Sequence, residues 1–179
     1  MSPAEGGRGD AHRSHAQRHE GRRLALAALF EADFGQRTAQ RILERHLSEE
    51  PVTSEAAEHA RRVVAAVTSE RESIDARIGT VAPQYPVGQL ARIDRALLRS
   101  ALGELLHCPT TPARVAIAEW VELARTYSGE PARRLLNGVL GRVAREATGR
   151  GREMPASGNS SEGGGDRRTG GSNLDRFNL

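Results

Sequence analysis

The chain has 179 residues, 37% of them hydrophobic, with 26 basic against 23 acidic side chains and a formal net charge of +3. That length suits one domain or two small subdomains sharing a core; no run approaches the roughly 20 apolar residues that cross a membrane, and the polar N-terminus lacks the apolar stretch of a secretion signal, so the cytoplasm is the expected compartment. Cys108 is the only cysteine, which excludes an intramolecular disulfide and a cysteine metal cage and leaves a buried, neutral thiol as the expected state.

From Met1 to Gln17 the residues are rich in Gly, Arg and His without an apolar period, the pattern of a disordered basic arm. Arg18 to Phe34 reads as a helix with Leu26, Leu29 and Phe30 on one face, small Ala25, Ala28 and Ala32 for close packing, and Gly35 ending it. Thr38 to Leu47 reads as a short second helix carrying Ile42, Leu43 and Leu47. Pro51 and Thr53 open a third, long helix in which Ala60, Val63, Val64, Val67, Ile74, Ile78 and Val81 trace one stripe interrupted by Arg71.

Pro83 and Pro86 place a boundary between two halves near residues 83–88. Beyond it, Leu90, Ile93, Leu97, Leu98, Ala101, Leu102, Leu105 and Leu106 form the most apolar helix, expected to be central. Thr111 and Pro112 read as an N-cap hydroxyl and first-turn proline for a helix with Ile117, Trp120, Val121, Ala124 and Tyr127 at three- and four-residue steps. Ser128, Gly129 and Pro131 break it. A last helix follows with Leu135, Leu136, Val139, Leu140 and Val143 inward and Arg133, Arg134, Arg142 and Arg145 mostly outward. Asn137-Gly138 would ordinarily be a turn, yet the apolar period runs through it; Gly138 is then expected to admit a neighbouring helix, at a propensity cost of about 1 kcal/mol. Residues 150–179 collapse to Gly, Ser, Asn and Arg, a disordered tail. The expected fold is all-α, with the domain at residues 18–149.

Every basic residue among the 26 is arginine. Five arginines face three acids from Met1 to Arg23, and eight face four from Pro112 to Arg152. If the fold brings these two ends together they form one polyanion-binding face, with guanidinium groups suited to bidentate phosphate contacts. Catalytic patterns are absent. His12, His15 and His19 have a spacing that could hold a metal on a helix, but no carboxylate stands in obvious register, and Glu104, Glu119 and Glu122 read as solvated or salt-bridged helix surface. With no phosphate-cradling glycine loop and no nucleophile elbow, the chain is expected to use no catalytic residue, no metal and no cofactor.

Three ordered blocks carry a more specific signal: Arg22-Arg23-Leu24 through Ala28-Leu29-Phe30; Ile93-Asp94-Arg95-Ala96-Leu97-Leu98-Arg99 with Glu104-Leu105; and Val115-Ala116-Ile117, Glu119 to Ala124, and Asn137-Gly138-Val139-Leu140. Together they resemble the NusB family of bacterial transcription antitermination factors over about residues 18–149. The resemblance implies an all-helical domain of about seven helices in two packed subdomains. It also implies a non-enzymatic factor that binds boxA-type RNA together with ribosomal protein NusE, within an antitermination complex on RNA polymerase active in ribosomal RNA transcription. Monomeric and homodimeric members both occur.

By the same resemblance Arg18, Arg22 and Arg23 are RNA contacts, the alternative being a solvated helix start, and Phe30 and Asp94 meet the ribosomal partner. Tyr127 and Arg134, beside the hairpin turn, are candidates for base contacts, with core packing the alternative for the Tyr127 ring. The chain departs from the family at Ala118 and Trp120, where asparagine and alanine usually flank the glutamate, and at Leu135, usually aromatic; this puts a stacking role at 135 in doubt and assigns Trp120 to packing. Two other functions fit a helical domain of this kind: an RNA-binding accessory module of ribosomal RNA modification, and a protein-interaction module without RNA binding. Pairing of the N-terminal arginines with acids would favour the latter.

Overall fold

The computed structural model describes residues 6–150, with side chains for residues 13–147, and among these the only regular structure is helical. In chain order the helices are α1 (Gly6–Ala32), α2 (Ala39–Glu49), α3 (Ser54–Ser69), α4 (Arg71–Val81), α5 (Arg92–His107), α6 (Ala113–Tyr127) and α7 (Glu130–Arg150), with a 3₁₀ turn at Val87–Gln89. The tail expected beyond residue 150 lies outside the described residues.

α1 begins at Gly6 rather than near Arg18 and so takes in most of the expected arm. Composition could not show the partners that hold this extension. Ser14 Oγ donates to Glu55 Oε1 of α3 at 2.7 Å, while His15 and His19 lie 3.1 and 2.7 Å from the two oxygens of Glu119 on α6. At its other end α1 stops where expected: Gly35 adopts φ +80° and its N–H donates to Ala32 O, a left-handed cap that a side chain would strain.

Thr38 Oγ1 accepts from the Arg41 N–H and Thr53 Oγ1 from the Ala56 N–H, so α2 and α3 each carry a hydroxyl cap worth about 1 kcal/mol. Thr111 does not cap α6. Pro112 itself occupies the N-cap position with extended backbone (φ −58°, ψ 133°), which starts the helix one residue later and leaves the buried Thr111 in the preceding turn.

The expected long third helix is two helices. Glu70 leaves the helical region at φ −108°, ψ 18°, yet its N–H still donates to Ala66 O and its carbonyl still accepts from the Ile74 N–H. Val67 and Ile74 are both buried, so the apolar stripe runs through the bend and hides it from a periodicity reading. The bend carries α4 onto α5 and α7.

α5 is central as expected, touching α1, α3, α4, α6 and α7. Leu97, Leu98, Leu102, Trp120, Leu136 and Leu140 are fully buried in one continuous apolar cluster, each contributing about 1.5–3 kcal/mol by burial. Close helix approach occurs at two glycines that periodicity passed over. A Cβ on Gly21 would lie 2.6 Å from Ala56 O, and one on Gly103 would lie 2.6 Å from Val67 Cγ2. At Gly138, where such an approach was expected, a Cβ would meet nothing within 4 Å.

Candidate nucleic-acid and partner interface

One arginine of the expected RNA set is not on the surface. Arg22 is fully buried and forks onto Glu104 of α5, its Nη2 2.7 Å from Oε1 and its Nε 2.9 Å from Oε2. Trp120 Nε1 donates to the same Oε2 at 2.7 Å, and His59 Nε2 lies 3.2 Å from Oε1. Burial alone would raise the Glu104 carboxyl, but hydrogen bonds and charge from His59 and Arg22 outweigh it and hold the group at about 2. Arg22 therefore holds α1 to the core and offers no phosphate contact, Glu104 is core rather than solvated surface, and Trp120 packs as expected. Burial likewise pushes the Cys108 thiol up, keeping it neutral.

The other two N-terminal arginines do face outward. Arg18, about a third exposed, places Nε 3.1 Å from Glu55 Oε1. Arg23, about half exposed, donates from Nη1 to Glu20 at 2.8 Å and from Nε to the Tyr127 hydroxyl at 3.2 Å. This last bond joins the first helix to the end of α6. Tyr127 is exposed, which decides its alternatives in favour of a surface ring.

Across the hairpin turn, Gly129 at φ +102° turns the chain into α7, whose first residue Glu130 accepts from both Arg133 and Arg134. Those two guanidinium groups hold the exposed Glu130 carboxyl at about 2. Arg134 remains three-quarters exposed, and such surface pairs are weak enough, at ~0–1 kcal/mol, for a phosphate to displace the carboxylate.

Phe30 lies near the end of α1 and Asp94 in the first turn of α5. The Phe30 ring packs edge-on against exposed Phe34 at 5.4 Å between centroids, and Arg92 of α5 sits 4.4 Å above the Phe34 ring. Two residues along α5, Asp94 accepts from Ser128 Oγ at 2.5 Å. The aromatic pair thus packs with Arg92, and the acid with Ser128 of the α6–α7 turn.

The sequence profile of the NusB family matches residues 19–145. Transcription antitermination protein NusB of Chloroflexus aggregans is 42% identical over 130 residues, covering 72% of this chain and 87% of that protein. The protein of the same name from Dehalococcoides mccartyi is 39% identical over 128 residues, covering 72% and 90%. The chain belongs to the NusB family. The fold agrees: the NusB structure of T. maritima superposes with a TM-score of 0.67 at 32% identity, covering 72% of this chain and 91% of that one. A structure of antitermination factors NusB and NusE in complex with double-stranded RNA superposes at 0.66 with 22% identity, covering 73% and 98%, a likeness of fold.

Within this NusB fold, sequence reasoning overlooked the ion network beneath the surface. Glu104 stands between Leu102 and Leu105 on the most apolar helix, and an acid in that setting demands a buried cation; that was the available signal for Arg22. The carboxylate sought for His15 and His19 was Glu119, a hundred residues away from His19. The His12 side chain lies outside the described residues.

Proposed function

We propose that this NusB-family chain is a non-catalytic, RNA-binding antitermination factor that holds boxA-type RNA together with the ribosomal protein NusE on RNA polymerase during ribosomal RNA transcription. The observation that supports it best is the Arg23–Tyr127 bond, which sets a cation and an exposed aromatic ring side by side on the face shared by α1 and the α6–α7 hairpin. Single-stranded RNA is held by that combination, cations for phosphates and a ring for a base. Arg18, Arg23, Tyr127 and Arg134 form the proposed RNA set, without Arg22. Phe30 and Asp94 are the proposed contacts to the ribosomal partner. Binding of RNA on one face and protein on the other gives positive coupling if each orders the hairpin turn they share.

One observation favours the protein-interaction reading instead: Arg18, Arg22 and Arg23 are each paired with an acid. The Arg23–Glu20 pair is solvent-exposed and the Arg18–Glu55 pair only part-buried, both reachable by a competing phosphate, so the RNA reading stands ahead. Titration of the protein into boxA-type RNA and a scrambled control, with and without the ribosomal protein, at two salt concentrations separates them. Preferential binding strengthened by the partner and steeply weakened by salt is expected; partner binding with no RNA affinity at low salt would replace the RNA reading with the interaction module.

A further inference from the structure

Where the end of α1 meets the start of α2, the end of α3 and the middle of α5, the surface holds a cavity of about 300 Å³, at the small end of the range of ligand clefts. None of the residues lining it belongs to the proposed RNA or partner sets. Leu29, Val67 and Ala96 make its apolar side, and Arg37, Arg71 and Arg99 surround Asp33 on its polar side. These charges do not balance. Asp33 is the only acid among the lining residues, and Arg95 of α5 already bonds its carboxylate. Arg99 Nη1 and Arg71 Nη2 stand 3.7 and 3.9 Å from Asp33 Oδ1, outside hydrogen-bond reach. Arg99 is instead anchored by Nε and Nη2 to Asp75, at 2.8 and 2.7 Å. Arg37 makes no hydrogen bond or ion pair among the described residues. Four guanidinium groups, those of Arg37, Arg71, Arg95 and Arg99, thus share two carboxylates.

The start of α2 turns further donors to the same cavity, which Thr38, Ala39 and Gln40 also line. The Thr38 hydroxyl oxygen accepts from the Arg41 N–H, leaving its proton to donate elsewhere. The N–H groups of Ala39 and Gln40, in the first turn, have no acceptor within the helix. A helix start of this kind favours an anion, and guanidinium groups add bidentate contacts to phosphate oxygens. We propose that this cavity binds a small phosphate-bearing organic ligand, with the phosphate between Arg37, Arg71 and the first turn of α2 and the less polar body against Leu29, Val67 and Ala96. Arg99, held by Asp75, supplies fixed positive charge behind the phosphate. Because α1, α2, α3, α4 and α5 all contribute to the wall, a ligand there binds only the folded chain and stabilises it by mass action. The inference does not rest on the RNA-binding reading.

The test uses adenosine 5′-monophosphate, inorganic phosphate and adenosine as probes, with calorimetry and thermal unfolding of the full chain at low salt. Adenosine monophosphate is expected to bind and to raise Tm, inorganic phosphate to bind more weakly, and adenosine not to bind. Arg37→Ala and Arg71→Ala, both at exposed positions, should each weaken the monophosphate by about tenfold or more. Arg41→Ala, an exposed cation of the same helix that does not line the cavity, should leave its affinity unchanged. Equal losses in all three variants would reduce the effect to general charge attraction and overturn the site, as would a wild type that binds neither phosphate compound. A phosphate of an RNA strand offers the same chemistry, so boxA-type RNA is titrated against the monophosphate complex. No displacement is expected; displacement, with loss of RNA affinity in Arg37→Ala and Arg71→Ala, would assign the cavity to the RNA backbone and overturn the small-ligand proposal.

Discussion

Replacing Arg22 by methionine should unfold the protein more readily rather than simply weaken RNA binding. The change keeps side-chain length and removes the fork that neutralises Glu104, leaving a buried carboxylate with only Trp120 and His59. Breaking a buried pair by deleting one partner costs about 3–5 kcal/mol. The Glu104 carboxyl, held at about 2 instead of 4.5 by His59 and Arg22 together against its burial, agrees in direction. For a domain of this size the loss should lower Tm by roughly 6–20 °C. The sign with pH follows, because the folded-state value is depressed: the stabilisation is present above pH 4.5 and is lost as pH falls from there towards 2. The gap between wild type and Arg22→Met should therefore narrow over that interval, as Glu104 takes up a proton and no longer needs its cation. Adding Glu104→Gln, which keeps an acceptor for Trp120, should recover part of the loss. Urea titrations at neutral pH and near pH 3 measure both effects. An Arg22→Met protein with unchanged stability and reduced RNA affinity would refute the core assignment and return Arg22 to the surface set.

Arg23→Ala, at a half-exposed site, should leave Tm nearly unchanged, weaken RNA binding, and lower the slope of log affinity against log salt by about one; filter binding over a salt series measures it. Gly21→Ala and Gly138→Ala should act with opposite signs in urea titrations. The first forces a methyl against Ala56 O and should destabilise by about 1–3 kcal/mol, whereas the second fills open space in a helix and should stabilise by up to about 1 kcal/mol. Asp94→Arg should reduce affinity for the ribosomal partner in calorimetry while sparing RNA binding by the isolated chain, since Asp94 faces the hairpin turn and not the Arg23–Tyr127 contact.

The helices were legible where apolar spacing had a single meaning. α5 announces itself by leucines recurring at helical spacing, and the α6–α7 hairpin by Trp120, Tyr127 and the breakers Ser128 and Gly129. Where the reading failed, tertiary partners decided. The α1 extension is polar and has no stripe of its own; Glu55 and Glu119, far away in sequence, hold it. At the Glu70 bend the bonds from Glu70 N–H to Ala66 O and from Ile74 N–H to Glu70 O persist and buried positions continue across it, so the apolar period does not mark it. Among the site residues, Arg23 is exposed and Arg18 half-buried, and their neighbour Arg22 is fully buried. Three arginines within six residues look alike in composition; only the acid buried on α5 distinguishes the middle one.

That distinction explains how the proposed face is aligned. Gly21, Arg22 and Arg23 are consecutive, and helical geometry turns each about 100° from the last. Gly21 fits against Ala56 O where a Cβ would be 2.6 Å away, so a slip of α1 by one turn in either direction would bring Gln17 or Ala25 into a space neither can occupy. Arg22 adds an electrostatic restraint, because its two bonds to Glu104 form only at one register and Trp120 holds that carboxylate from the other side. With sterics and charge both fixing the helix at that point, the next residue is delivered to a defined place: Arg23 meets the Tyr127 hydroxyl. The buried ion pair thus serves the surface above it. It determines which arginine stays outside and which aromatic ring it stands beside, and that alignment is the geometry the proposed RNA interface requires.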